Sequence, residues 1–192
     1  MWTSRPCSHW LRGRTIVQPI SEEERDAFLT TFQREAVHLE MRDVYATSIE
    51  KDRFTTWLRG QPLDPHAEAQ WWRPWFELMT RNNQAGKTLR RLRIVSEPIT
   101  EYIRFEWLDA AQLVRAGEDV RWLPRRHAST LLLPGNDFWM FDRHTVVFTH
   151  FSGDGHVLDH EITTDPTVVT ACANAFEQAW TIAIPHDKYT PS

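Results

Sequence analysis

The stretch KTLRRLRIVSEPITEYIRFEWLDAAQLVRAGEDVRWL, Lys87 to Leu123, decides the fold. Lys87 to Val95 reads as a strand in which Leu92 and Ile94 share one side and Arg91 and Arg93 take the other. Ser96, Glu97 and Pro98 then read as a helix start: serine at the cap, an acid where the helix dipole favours it, and proline where no amide donor is missed. Ile99, Ile103, Leu108, Ala111 and Val114 continue as an apolar stripe, Gly117 stops it, and Val120 to Leu123 forms the next strand. Strand, helix and strand within ~35 residues are the span of a right-handed crossover, which makes the sheet partly parallel.

Downstream, Asp137 to Asp142 and Thr145 to Phe151 read as further strands, and Ser152-Gly153-Asp154-Gly155 is a hairpin signal. A three-residue loop closed by Gly155 puts Val146, Phe148 and His150 on the same face as Leu158, His160 and Ile162. Asp165-Pro166 announces a closing helix through Val168, Cys172, Phe176, Trp180 and Ala183, ended by Pro185 and followed by a frayed tail. Upstream, Ser21 and Glu24 form a capping box before Phe28 and Phe32. Val37, Leu39 and Met41 then alternate with His38, Glu40 and Arg42 as a strand does. Two shorter helices follow: one after Ser48 that ends at Gly60, and one with Pro74 in its first turn that ends at Gly86, with a loop at Gln61 to His66 between them. The expected organisation is a flexible arm at residues 1–20, one α/β (α+β) domain at 21–185 whose N-terminal helices cover a mixed sheet, and a tail at 186–192.

Composition narrows the function classes. With 22 basic against 26 acidic side chains the net charge is −4, which argues against direct binding of nucleic acid. Cys7 and Cys172 stand far apart, so neither a disulfide framework nor a metal-binding pair is on offer, and a reducing cytoplasm is the simple location. The first fourteen residues hold Arg5, Arg12 and Arg14 but no apolar core of a signal, and no stretch approaches the ~18 apolar residues of a membrane span.

The order of strand, crossover helix, strand, antiparallel pair and terminal helix resembles half of a phospholipase-D-like domain. Active members of that superfamily carry His-x-Lys-x-x-x-x-Asp, with imidazole as the nucleophile toward phosphorus and lysine neutralising phosphate charge. With Asp142 laid on the motif's aspartate, Gly135 falls on the histidine and Asp137 on the lysine. The resemblance therefore implies the fold without its phosphodiester chemistry, kept as a ligand-binding or dimerising module. A second resemblance rests on Arg34-Glu35-Ala36 with Leu39-Glu40, Gly86 to Glu106, Ala116 to Leu123, and Asp137 to Asp142. These stretches are similar to a group of actinobacterial proteins of unknown function whose genes often lie beside helix-turn-helix regulators. That implies a regulatory or accessory role with such a regulator as partner.

Four groups of residues are candidates for a site. Glu97, Tyr102, Arg104 and Glu106 lie along the crossover helix, next to the strand ends where open α/β sheets place ligands, and read either as a capped helix with surface ion pairs or as a polar ligand site. Arg91 and Arg93, with Arg121, Asp137 and Trp139 on neighbouring strands, read either as ion pairs within the domain or as an anion site, since unpaired buried charge is too costly. His150 and His160 on one hairpin face are two ligands where zinc wants three or four, so they read as structural histidines and no cofactor is implied. Ten tryptophans belong mainly to the core, although Trp71 and Trp72 cannot face the same way on a helix. The leading expectation is a non-catalytic module that binds a small molecule or a protein partner. Its rivals are a small group-transfer enzyme using Glu97, Arg104, Glu106 and His150, and a homodimerisation domain built on the tryptophan face.

Overall fold

A computed structural model describes residues 16–46, 48 and 50–192 of the 192-residue chain. Eight strands form one sheet: β1 (Gln18–Ile20), β2 (Glu35–Glu40), β3 (Thr88–Val95), β4 (Asp119–Pro124), β5 (Asp137–Phe141), β6 (Thr145–Phe151), β7 (Val157–Thr163) and β8 (Ile184–Pro185). Their spatial order is β1-β7-β6-β5-β2-β3-β4-β8. The three neighbours β2, β3 and β4 run parallel and the other pairings are antiparallel. Five α-helices, α1 (Glu22–Thr31), α2 (Lys51–Leu58), α3 (Pro65–Gln84), α4 (Glu101–Arg115) and α5 (Pro166–Ile182), and a short 3-10 helix at Arg125–Ala128 complete the described chain.

The alternation in β2 and β3 sorts the two faces. Val37 and Leu39 join Leu92, Ile94, Phe138 and Met140 in a core sealed by Cys172, Phe176 and Trp180 of α5. On the opposite face, Ala36, Leu89 and Phe141 pack with Met79 of α3, while Val95 and Trp122 pack with Ile103, Ala110 and Leu113 of α4. A polar strip separates these two clusters.

Local signals at the helix ends were informative where the named side chain had no competing partner. Ser21 and Glu24 form the expected capping box, and Asp165 caps α5 with Pro166 in its first turn. Ser96 does not cap a helix, because its N–H and its hydroxyl both donate to the Asp43 carboxylate, each at 2.7 Å. Residues 96–100 instead make a turn with a cis Glu97–Pro98 peptide, and Thr100 caps α4 by accepting from the Ile103 N–H. Pro74 lies inside α3 on its solvent side, while Asp64 and Pro65 supply the cap and first position. The strand expected to run through Asp142 ends at Phe141: Asp142 and Arg143 both take positive φ, 54° and 53°, as a tight hairpin turn requires.

Three further expectations are corrected. The β6–β7 loop spans Ser152 to His156 with an irregularity at His150 and Phe151, so Thr149, not Phe148, pairs with His160. That one-residue slip places His150 and His160 on opposite faces. The arm ends before Gln18, since β1 pairs with β7; the rest of the arm through residue 15, with Cys7, lies outside the described residues. The chain end is not frayed either. β8 pairs with β4, Tyr189 is 4% exposed and stacks on Trp122 at 5.4 Å, and its hydroxyl donates to Glu97 at 2.9 Å.

Candidate functional site

The polar strip on the α3–α4 face is a cluster of buried charges. Parallel pairing puts Glu40 beside Arg93 and His38 beside Arg91, and because alternate residues share a face, all four side chains meet on one side of the sheet. Glu40 bridges both guanidiniums: it contacts Arg91 directly and lies 3.0 Å from Arg93 Nε. Arg91 also donates to Glu118 at 2.5 Å, and Arg93 reaches Glu106 at 2.6 Å. Both arginines lie over indole rings, Arg91 over Trp139 and Trp75, and Arg93 over Trp122, which favours guanidinium at such sites. His38 stacks on Trp139 with ring centres 3.9 Å apart.

Beside this network, between β5 and the segment after β2, lies a cavity of about 180 Å³ lined by Tyr45, Tyr102, Asp137, Trp139, Thr149 and Phe151 together with Glu40, Arg91, Arg93 and Glu106. Asp137 opens β5; its two oxygens accept from the Met41 N–H at 2.9 Å and from the Tyr45 hydroxyl. Tyr102, on the first turn of α4, donates to Glu50 at 2.9 Å.

Burial sets the protonation of these groups. It pushes Asp137 up to about 6 against the pull of Tyr45, and Glu106 up to about 7 against the pull of Arg93. It pushes His38 down to about 4, so that imidazole is neutral at pH 7. Burial opposes ionisation of Glu40 too, but Arg93 and Arg91 together hold that carboxyl well below the usual range. A carboxyl whose folded pKa is raised stabilises the fold when protonated, and that stabilisation is lost as pH rises through the folded value. For Glu106 the window opens near pH 7. The melting temperature should therefore be about 2–4 °C higher at pH 6.5 than at pH 8.5, and Glu106→Gln should flatten that limb in a calorimetric pH series. Below pH 6.5 the depressed His38 works in the opposite direction while the raised Asp137 works in the same direction as Glu106, so His38 should offset only part of the rise.

Of the residues singled out from sequence, Arg93, Tyr102, Glu106, Asp137 and Trp139 come together at the cavity. The others do not. Glu97 is taken by Tyr189 at the opposite side of the β3–α4 turn, and Arg104 is an exposed residue of α4 facing Glu101 at 4.0 Å. Arg121 points to the α5 side, over the Trp180 ring. His150 shares that other sheet face and pairs with Glu161 at 3.1 Å. The group-transfer constellation of Glu97, Arg104, Glu106 and His150 is therefore not assembled. Residues that sequence reasoning missed are His38, Glu40, Tyr45 and Glu118. The alternation of His38 and Glu40 against Val37 and Leu39 was the available signal, but which strand lies beside β2 is not written in β2.

The mixed sheet with its parallel β2-β3-β4 part and α5 on one face has a phospholipase-D-like α+β fold. The sequence model for a domain of unknown function, DUF6879, matches residues 23–191, and the chain belongs to that family. Among solved structures the chain is similar to a phospholipase D family member, Nuc from Salmonella typhimurium, at 9% identity and a TM-score of 0.51, covering 88% of this chain and 96% of that one. It also matches TrmBL2, an archaeal chromatin protein, at 13% identity and TM-score 0.48 over 91% and 55% of the two chains. NucT from Helicobacter pylori matches at 8% identity and TM-score 0.44 over 88% and 96%. No curated protein matches. Among the described residues no helix is long and apolar enough to cross a membrane.

Proposed function

We propose that this chain is a non-catalytic binding module of a regulatory or accessory protein, holding a small polar molecule in the cavity beside Asp137 and Trp139. The observation that carries this reading is the cavity itself: on the face of a rigid sheet, the rings of Tyr45, Tyr102, Trp139 and Phe151 meet a convergent set of charged and polar groups in one concave site. The arginines of its lining are matched to carboxylates, which suits a fixed wall better than a group that must exchange protons during turnover. With the phosphodiesterase motif laid on Asp142, Gly135 and Asp137 stand where it needs histidine and lysine, which weighs in the same direction.

A thermal-shift screen of the full chain against polar metabolites should find at least one compound that raises the melting temperature saturably by more than ~2 °C. Val157 lines the cavity mouth and is 45% exposed, so Val157→Trp should obstruct the site without disturbing the core and abolish that rise. A folded protein that no compound stabilises, or one stabilised equally in Val157→Trp, contradicts the reading. Capture of a protein partner by a surface away from the cavity would likewise replace it.

A further inference from the structure

Given the binding reading above, the charge arrangement of the cavity restricts what enters it. Each lining arginine already faces two carboxylates: Arg25 faces Glu22 and Asp26, Arg91 faces Glu40 and Glu118, and Arg93 faces Glu40 and Glu106. An incoming anion would have to displace one of these from a guanidinium. Asp137 is placed differently, since both of its hydrogen bonds come from neutral groups, the Met41 N–H and the Tyr45 hydroxyl, although it is only 3% exposed. Beside it stand three aromatic rings that line the same cavity. Tyr45 meets Phe151 edge to face at 5.3 Å and Tyr102 at 6.1 Å. A carboxylate that forms no salt bridge among the described residues, flanked by aromatic rings, is the composition that recognises an organic cation.

We infer that the cavity receives the cationic head of a small organic amine, with Asp137 as its counter-ion and Tyr45, Tyr102 and Phe151 as its wall. The ammonium takes the place of a proton: before binding, Asp137 is partly a neutral acid at pH 6, and on binding the carboxyl ionises and the proton leaves to solvent. The charged groups around it are Glu40 on β2 and Arg42 after it, Arg93 on β3 and Glu106 on α4. At the cavity's other sides stand Arg25 on α1, Glu50 before α2, neutral His38 and Arg91. Glu106 can gain charge in the same range and reinforces the effect.

The test is calorimetric titration of the full chain with n-butylammonium, n-butyrate and n-butanol, three probes of one size and different charge. The ammonium should bind and the other two should not. Its affinity should rise about tenfold from pH 5 to pH 7.5, following ionisation of Asp137 near 6. At pH 5.5, where Asp137 is still mostly protonated, heats measured in acetate and in MES should differ in proportion to the protonation enthalpies of the two buffers, showing a released proton. This readout needs no variant, so it stands even where Asp137→Asn fails to fold; where Asp137→Asn folds, it should weaken ammonium binding at least tenfold. Preference for butyrate or butanol, blocked by Val157→Trp, overturns the cation assignment and leaves the cavity reading in place. Silence of all three probes alongside a hit in the metabolite screen does the same. Silence in both sinks both.

Discussion

Arg93→Met should lower stability by about 3–5 kcal/mol and the melting temperature by roughly 10 °C. Arg93 is 6% exposed and joins Glu40 on β2 to Glu106 on α4, so removing it leaves two buried carboxylates short of a cation. Methionine fills much of the same volume, so the loss reports charge more than packing. The pH dependence separates the two: protonation removes the orphaned charge of Glu106, so the deficit should shrink between pH 8 and pH 6 in urea denaturation. Glu106→Gln combined with Arg93→Met should recover a substantial part of the loss. A deficit that is the same at both pH values and unrelieved by Glu106→Gln would show that the network acts only as packing.

Tyr189→Ala should cost about 3 kcal/mol. The ring is buried against Trp122 on the β4 side of the sheet, and its hydroxyl meets Glu97. Tyr189→Phe keeps the stacking and should cost only about 1 kcal/mol. Cutting the chain after Pro185 should be at least as damaging as Tyr189→Ala, because it also removes His186, whose ring accepts from the Trp122 indole at 3.1 Å. If the shortened chain melts within 2 °C of the full one, the end of the chain is not a structural part of the domain.

These two cases mark what sequence could and could not convey. Strands whose faces differ in chemistry were legible: Leu92 and Ile94 against Arg91 and Arg93 needed only the two-residue period of a strand. Caps with no competing partner, Ser21 and Asp165, were legible for the same local reason. Ser96 was misread because its actual partner, Asp43, lies far away in the chain. His160 was misplaced because a bulge at the start of β7, opposite His150 and Phe151, inverts every side chain of β7 that follows it. The site was half legible: Arg93, Glu106 and Asp137 stood out as charges on apolar elements, whereas Glu40 acquired its role only once β2 was set parallel to β3. Tyr189 gave no local signal, since a lone aromatic residue after a proline carries no period.

Together these observations describe a phospholipase-D-like sheet whose α3–α4 face carries a cross-braced wall of charge beside a small aromatic cavity. The claim most open to direct test is that this cavity is where ligands bind. Amide and indole chemical shifts should be mapped on the isotope-labelled full chain as it is titrated with a compound that raises its melting temperature. Shifts should saturate together at Tyr45, Tyr102, Asp137, Trp139 and Phe151. Saturable shifts confined to another surface, such as the groove of Trp72 and Gln112 between α3 and α4, with the cavity residues unmoved, would contradict that claim.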